Sequence, residues 1–195
     1  MQSAKELFIH ELTDMLDAEQ KLVTALGELA DDHAEEPQLQ KGFQSHQAQT
    51  EKQVERIQQI FEQIGEEPEE TECKGMKGLL EERNSFKEDE EPSDDILSIF
   101  DVGASIKVES YEINAYTSLI ELAKQLDLTK AIRLLNQNLK EEQQTRTKLE
   151  AISRKLKPDN LGMEEEGEEM EEEESRPARR GAASSRGKGR SRKAA

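Results

Sequence analysis

The chain has 195 residues, of which 33% are hydrophobic and 36% charged, and it contains no Trp. These proportions predict one domain with a small core inside a heavily charged surface. The formal net charge of −17 argues against broad contact with nucleic acid or anionic membranes, and no apolar run approaches the roughly 20 residues of a membrane-spanning helix.

Two long helices are predicted at the start of the chain. Within residues 4–34, the side chains that recur in alternating steps of three and four are Phe8, Leu12, Met15, Glu19, Leu22, Leu26 and Leu29. Pro37 stands where a first-turn proline is tolerated and begins a second apolar series, which ends at Gly65. The short connection between the two series predicts an antiparallel hairpin.

The next segment, residues 65–93, has prolines and acidic runs at both ends and a small apolar cluster of Met76, Leu79 and Leu80. It predicts a crossover that contains a short helix. Ser93 is a candidate cap for a third long helix, and a fourth follows after residues 125–126. Because no segment alternates in the manner of a strand, the sequence predicts an all-α four-helix bundle.

The apolar pattern stops after Pro158, where an acidic run, "EEEGEEMEEEE", precedes a basic one, "SRPARRGAASSRGKGRSRK". This change predicts a bundle domain at 1–160 and a disordered charged tail at 161–195. The basic end is expected either to fold back on its acidic neighbour or to contact an anionic partner. Weak, salt-sensitive contact with nucleic acid is one such possibility, since Lys and Arg neutralise phosphates.

A cytoplasmic location is expected for two reasons. The N-terminal residues "MQSAKELFIHEL" lack the basic and then apolar segments of a targeting signal. The single Cys73 has no partner for an internal disulfide.

Glutamates interrupt the apolar series at matching depths. Glu19 and Glu51 are equally far from residue 35, and Glu109 and Glu142 are equally far from residues 125–126. At about 1.5 Å per residue, each lies roughly 24 Å from its turn. If the two hairpins pack side by side, these four carboxylates meet at mid-bundle and require protons, basic partners or cations.

Five sequence blocks resemble the ferritin-like stress proteins of the YciE and YciF type: "LFIHELTDMLDAEQKL", "FQSHQAQTEKQVERI", "CKGMKGLLEE", "KVESYEINAYTSLIELAKQL" and "LNQNLKEEQQTRTKL". The resemblance covers about residues 6 to 156. It implies a ferritin-like four-helix bundle that forms a homodimer, a link to bacterial stress responses, and a two-metal centre of the di-iron or di-manganese type.

The residues that correspond to this metal centre match only in part. The resemblance implies Glu19, Glu109 and Glu142 as ligands, with Glu51 and Glu112 as helpers. On the second helix the expected Glu-x-x-His or Glu-x-x-Glu begins with Ala48, and on the fourth helix Thr145 stands where a histidine is expected. The centre is therefore depleted in imidazole, which lowers selectivity for iron and leaves its redox activity in doubt.

Three interpretations stay open at this point: a two-metal site that binds Fe or Mn, a weak or single-metal site, and a metal-free polar core held by Tyr111, Tyr116, Arg146 or water. In the last case the protein is a non-catalytic scaffold or interaction protein. The three histidines, His10, His33 and His46, are isolated in the sequence, so surface or packing roles are expected for them rather than metal ligation.

Overall fold

The computed structural model describes residues 1–158, and every regular element in that range is a helix. The helices are α1 (Ala4–Asp32), α2 (Pro37–Ile64), α3 (Lys74–Glu90), α4 (Asp94–Gln125) and α5 (Thr129–Ser153). The all-α prediction is confirmed. None of the helices in this range is both long and apolar enough to cross a membrane. The predicted tail, 161–195, lies outside the described residues.

The helix ends follow from local sequence. The Ser3 side chain accepts a hydrogen bond of 3.2 Å from the backbone N–H of Glu6 and caps α1. Pro37 occupies the first turn of α2, and Gly65 ends that helix with φ of 69°, a left-handed conformation that suits glycine. Ser93 precedes α4 as predicted, although its side chain makes no capping bond.

The four long helices form two hairpins that pack side by side. α1 packs against α2 and α4 against α5, while α1 also contacts α4 and α2 contacts α5. The apolar core between them includes Phe8, Leu12, Phe43, Ile57, Leu119 and Leu135. The predicted bundle with a crossover between its second and third long helices is thus confirmed, and the crossover helix is α3.

An ionic network with a buried centre, Arg83 and Asp101, fastens α3 to the bundle. Nε of Arg83 lies 2.9 Å from Oδ1 of Asp101 on α4, and Nη2 of Arg83 lies 2.8 Å from Oδ2 of Asp101 and 2.6 Å from Oδ2 of Asp32. His33 adds a contact of 3.0 Å from its Nε2 to Oδ2 of Asp101. We call Asp32, His33, Arg83 and Asp101 the Arg83 network. His33 also stacks on Phe43, with ring centroids 5.5 Å apart, so of the surface and packing roles expected for it the packing role is the one observed.

The start of α3 docks closely on α4. Oη of Tyr111 lies 3.0 Å from Sγ of Cys73, and the Cys73 backbone N–H donates to Asp17 over 2.6 Å. A Cβ atom at Gly75 would stand 2.6 Å from the Tyr111 ring, so a glycine is required there. Tyr111 therefore serves packing of the crossover and does not contact the glutamates of the bundle interior.

Candidate metal centre

Four glutamate side chains meet in the interior of the bundle. α1 contributes Glu19, α4 contributes Glu109 and Glu112 from successive turns, and α5 contributes Glu142. Each of the four is 0% exposed. We call them the carboxylate cluster. The structure thus brings together four of the five glutamates that the sequence indicated.

Glu51 does not join the carboxylate cluster, because it lies on the exposed side of α2. The buried face of that helix runs through His46, Thr50, Gln53 and Ile57. These positions are separated by steps of four, three and four and so share one side of the helix. Glu51 is turned from Thr50 by about 100°, which points it away from the core.

His46 is buried beside the cluster, so of the surface and packing roles expected from the sequence the surface role is excluded. Its Nε2 lies 3.1 Å from Oε1 of Glu109, although the two atoms are not aligned for a hydrogen bond. One ligand atom each from His46, Glu109 and Glu142 lies within 4.8 Å of the others. Burial, aided by the charge of Lys148, lowers the pKa of His46 to about 4, so its imidazole is neutral at pH 7.

A chain of hydrogen bonds holds one member of the cluster in place. The Tyr116 hydroxyl donates to Oε1 of Glu19. The amide of Asn138 donates to the Tyr116 oxygen over 2.8 Å, and Arg56 donates to Oδ1 of Asn138 over 2.8 Å. The sequence left open whether Tyr116 packs or donates; it is fully buried and donates to the cluster.

A second hydrogen bond fixes the carboxyl group of α5. The Gln53 side-chain amide donates to Oε1 of Glu142, and it also lies 3.2 Å from Oε2 of Glu141. Glu141 is itself held by Arg56 through contacts of 2.6 and 2.9 Å. Gln53 therefore orients Glu142 from α2, the helix on which Glu51 had been expected to supply a carboxylate.

Much of the carboxylate cluster has no partner among residues 1–158. Both carboxyl oxygens of Glu109, both of Glu112, Oε2 of Glu19 and Oε2 of Glu142 are buried without a hydrogen bond from this part of the chain. A buried unpaired carboxylate costs several kcal/mol by order of magnitude. The cluster consequently needs protons or a cation.

The pKa values of the cluster reflect this lack of compensation. Burial and repulsion from Glu142 raise the pKa of Glu109 to about 11. Burial raises the pKa of Glu142 as well, to about 7, and the Gln53 amide opposes this rise because it favours the charged form. Burial raises the pKa values of Glu19 and Glu112 well above the usual range for carboxyl groups.

The donor atoms fit a divalent transition-metal ion. Carboxylate oxygens suit Mn²⁺, and a neutral imidazole beside carboxylates suits iron as well. Ferritin-like metal centres draw single glutamates from two helices and Glu-x-x-His pairs from two others. Here α4 supplies Glu109 and Glu112, and α2 supplies the imidazole of His46.

Arg146 and Thr145 were also considered for this site from the sequence, and both have partners outside the carboxylate cluster. Arg146 is 42% exposed at its side chain and pairs with Glu150 over 3.1 Å, so it does not provide the missing positive charge. Thr145, three residues after Glu142, is buried and accepts a hydrogen bond of 3.3 Å from Gln49. His10 is exposed.

Comparison with known proteins places this bundle in a family. Residues 3–161 match the family described as a domain of unknown function, DUF892. The chain belongs to the DUF892 family. Protein YciF of Escherichia coli (strain K12) is 37% identical over 150 residues, which make up 76% of this chain and 89% of YciF.

Solved structures resemble this DUF892 chain over most of its length. The crystal structure of the Escherichia coli stress protein YciF matches with a TM-score of 0.74 at 36% identity, covering 79% of this chain and 96% of that one. YcfI of Rhodopseudomonas palustris matches with a TM-score of 0.73 at 33% identity, covering 77% and 94%. A Xanthomonas campestris protein, at 16% identity and a TM-score of 0.63 over 78% and 92% of the two chains, shares the fold.

Proposed function

We propose that this DUF892 chain is a YciF-like bacterial stress-response protein whose core binds a divalent cation, Fe²⁺ or Mn²⁺. The proposed ligands are Glu19, Glu109, Glu112 and Glu142, with His46 taking the place that the sequence pattern gave to Glu51. The stress role is inferred from the description of YciF as a stress protein together with the 37% identity.

The observation that carries the metal proposal is the set of buried carboxyl oxygens that lack partners within residues 1–158. Protonating one glutamate at pH 7 from an ordinary pKa near 4.3 costs about 4 kcal/mol. Four such groups next to a neutral imidazole are therefore costly for a metal-free protein. A divalent cation offsets this cost because it attracts all of them at once.

The surrounding residues have defined roles in this site. His46 supplies an uncharged nitrogen donor without a competing proton. Tyr116 orients Glu19 and Gln53 orients Glu142, as second-layer hydrogen bonds do in metal sites. A bound Fe or Mn ion would supply redox or Lewis-acid chemistry.

The test is an anaerobic calorimetric titration of the full chain with Mn²⁺, Fe²⁺ and Zn²⁺. We expect a dissociation constant in the micromolar range or tighter, a release of protons on binding, and a loss of at least tenfold in affinity for Glu109→Gln. Glu51→Gln is the matched control and should bind as the unmodified chain does. Binding weaker than millimolar, or equal binding by Glu109→Gln, would refute the proposal.

A metal-free scaffold is the second candidate, and the pKa of Glu109 favours it. At about 11, this pKa keeps the group protonated at neutral pH without any cation. Elemental analysis of the purified protein separates the two candidates, since the scaffold should carry no stoichiometric Fe or Mn.

Three further proposals concern the setting of the protein. A cytoplasmic location is supported by the free, buried Cys73. A homodimer is supported by the resemblance to YciE and YciF proteins, and sedimentation of the full chain tests it. Weak nucleic-acid contact through the basic end of the tail would appear as salt-sensitive gel shifts that disappear on removal of residues 162–195.

A further inference from the structure

One imidazole ties the turn between α1 and α2 to α4. His33 ends α1 and is buried, and its Nδ1 lies 3.0 Å from Oε1 of Glu36, the residue just before α2. Its Nε2 lies 3.0 Å from Oδ2 of Asp101 on α4. Both ring nitrogens thus face carboxylate oxygens. A neutral imidazole carries a single N–H, so both contacts are hydrogen bonds only when the ring holds two protons.

Charged groups from the neighbouring helices surround this ring. Glu36, at the start of α2, and Asp101, on α4, each attract its charged form. Arg83 of α3 carries a like charge, but it is paired with Asp101 over 2.8 Å. Asp32, next to the histidine on α1, is engaged with Arg83 and Lys87 over 2.6 Å each. The two carboxylates in direct contact therefore have the strongest effect on the ring.

The protonation of His33 follows from these contacts. Burial alone would lower the pKa of His33, but the hydrogen bonds to Asp101 and Glu36 outweigh burial and raise this pKa above its ordinary value of about 6.5. The ring therefore changes charge within or just above the neutral range of pH.

The two carboxylates differ in their freedom to leave the ring. Asp101 is fully buried and is held by Arg83 over 2.9 and 2.8 Å, so it has no access to water. The side chain of Glu36 is 38% exposed and can turn into solvent. When the ring loses one proton, the remaining N–H should therefore stay on Nε2, facing Asp101, and the contact with Glu36 should be lost.

A serine hydroxyl stands between the two alternatives. Oγ of Ser98 on α4 donates to Oε1 of Glu36 and lies 3.5 Å from Nδ1 of His33. Its other acceptor is the backbone oxygen of Asp94, 2.8 Å away. A protonated Nδ1 cannot accept a hydrogen bond, whereas a bare Nδ1 can. Loss of the ring proton thus offers the hydroxyl a new acceptor at the moment when Glu36 loses its imidazole donor.

We propose that His33, Glu36 and Ser98 form a two-state latch, which ties the α1–α2 turn to α4 when the imidazole is charged and releases Glu36 when the imidazole is neutral. In the released state Ser98 donates to Nδ1 of His33, and Glu36 points into solvent. The stabilisation from the latch is fully present below about pH 6.5 and is lost as pH rises through the higher folded-state pKa of His33. The latch does not depend on a cation in the carboxylate cluster.

Nuclear magnetic resonance of the full chain with ¹⁵N-labelled histidine tests the proposal between pH 5 and pH 9. The His33→Gln chain identifies the signals of His33 by their absence. Both ring nitrogens should be protonated at low pH, the midpoint should lie above about 6.5, and above it the proton should remain on Nε2 with Nδ1 bare. A midpoint below 6.5, or a neutral ring protonated at Nδ1, would overturn the proposal.

The movement of Glu36 is followed through the ¹³C signal of its side-chain carboxyl group. This signal should change with the same midpoint as the His33 ring. Glu36→Gln should lower the midpoint of His33 by about half a pH unit or more, because it removes one of the two carboxylates. Glu35→Gln is the matched control, one residue earlier and exposed, and should shift the midpoint by less than about 0.2. Equal shifts in both variants would show that Glu36 has no specific contact with the ring.

Ser98→Ala tests the serine. A hydrogen bond accepted by a bare ring nitrogen moves its ¹⁵N signal, so the Nδ1 signal of the neutral His33 ring should differ by several ppm between this variant and the unmodified chain. An unchanged signal would remove Ser98 from the latch. Circular dichroism establishes that each variant is folded, and the measurements on the unmodified chain decide the proposal if a variant is not.

Discussion

The protein buries two polar clusters, and they compensate charge in opposite ways. In the Arg83 network, Asp101 is 0% exposed yet meets a guanidinium and an imidazole, and these partners lower its pKa although burial alone would raise it. In the carboxylate cluster, burial dominates and the pKa values of all four glutamates rise. A network that is satisfied internally has a structural explanation, whereas the carboxylate cluster indicates a site for protons or a cation.

The largest effect is expected from breaking the Arg83 network. Arg83→Met should lower the free energy of unfolding by about 3–5 kcal/mol, because it leaves the buried Asp101 without its main counter-charge. Urea denaturation measures this loss. The matched control is Lys107→Met, which removes a pair with Glu82 that is about half exposed, and it should cost at most about 1 kcal/mol. Equal losses in both variants would show that the network is no more important than a surface pair.

A change of pH should have a smaller effect on the stability of the metal-free protein. The sign of this effect should differ between Glu142 and Asp101. Glu142 has a folded-state pKa of about 7 against an ordinary 4.5, so its contribution is fully present below about 4.5 and is lost as pH rises through about 7. The expected loss is about 3 kcal/mol across that window. Asp101 has a lowered pKa, so its contribution is lost only as pH falls below the ordinary range of an aspartate.

Thermal unfolding between about pH 2 and pH 9 checks both signs. Stability of the metal-free chain should fall from about pH 5 upward. Glu142→Gln should make that fall smaller by about 3 kcal/mol, and the rest should remain because the pKa values of Glu19, Glu109 and Glu112 are raised as well. Addition of Mn²⁺ should reverse the trend, because a cation competes with protons for the same oxygens. An unchanged profile in Glu142→Gln would mean that this group does not govern the pH dependence.

The smallest effect is expected at Arg146, which the sequence considered as a counter-charge for the cluster. Its side chain is 42% exposed and its partner Glu150 lies on the same helix, so Arg146→Ala should change stability by less than about 0.5 kcal/mol. Mn²⁺ affinity should stay within twofold. A tenfold change in affinity would bring Arg146 back into the site.

The fold was predictable because helix periodicity is strong in every long segment. The same periodicity indicated Glu19, Glu109 and Glu142, since each occupies a position in a series of otherwise apolar residues. The interior face of α2 follows the same steps of three and four, from Phe43 to Ile57 through His46, Thr50 and Gln53, although the prediction for this helix used Glu51.

The residue that α2 places beside the carboxylate cluster could not be predicted from residue type and depth along the helix alone. Glu51 was predicted because it lies as far from its turn as Glu19 does. Depth along a helix does not fix the direction in which a side chain points, and Glu51, one residue after the buried Thr50, is on the surface. Likewise His33 and His46 look isolated along the chain, because their partners Asp101 and Glu109 come from a helix more than 60 residues away. Such contacts depend on how the hairpins pack.

The most direct measurement is a crystal structure of the full chain grown with Mn²⁺, with diffraction data collected at the manganese absorption edge. We predict an anomalous peak in the bundle core, within bonding distance of Glu109, Glu142 and His46. Crystals of Glu51→Gln should retain that peak and crystals of Glu109→Gln should lose it. A core without anomalous density, with Mn²⁺ bound only at exposed surface carboxylates, would contradict the assignment of the carboxylate cluster as a metal centre.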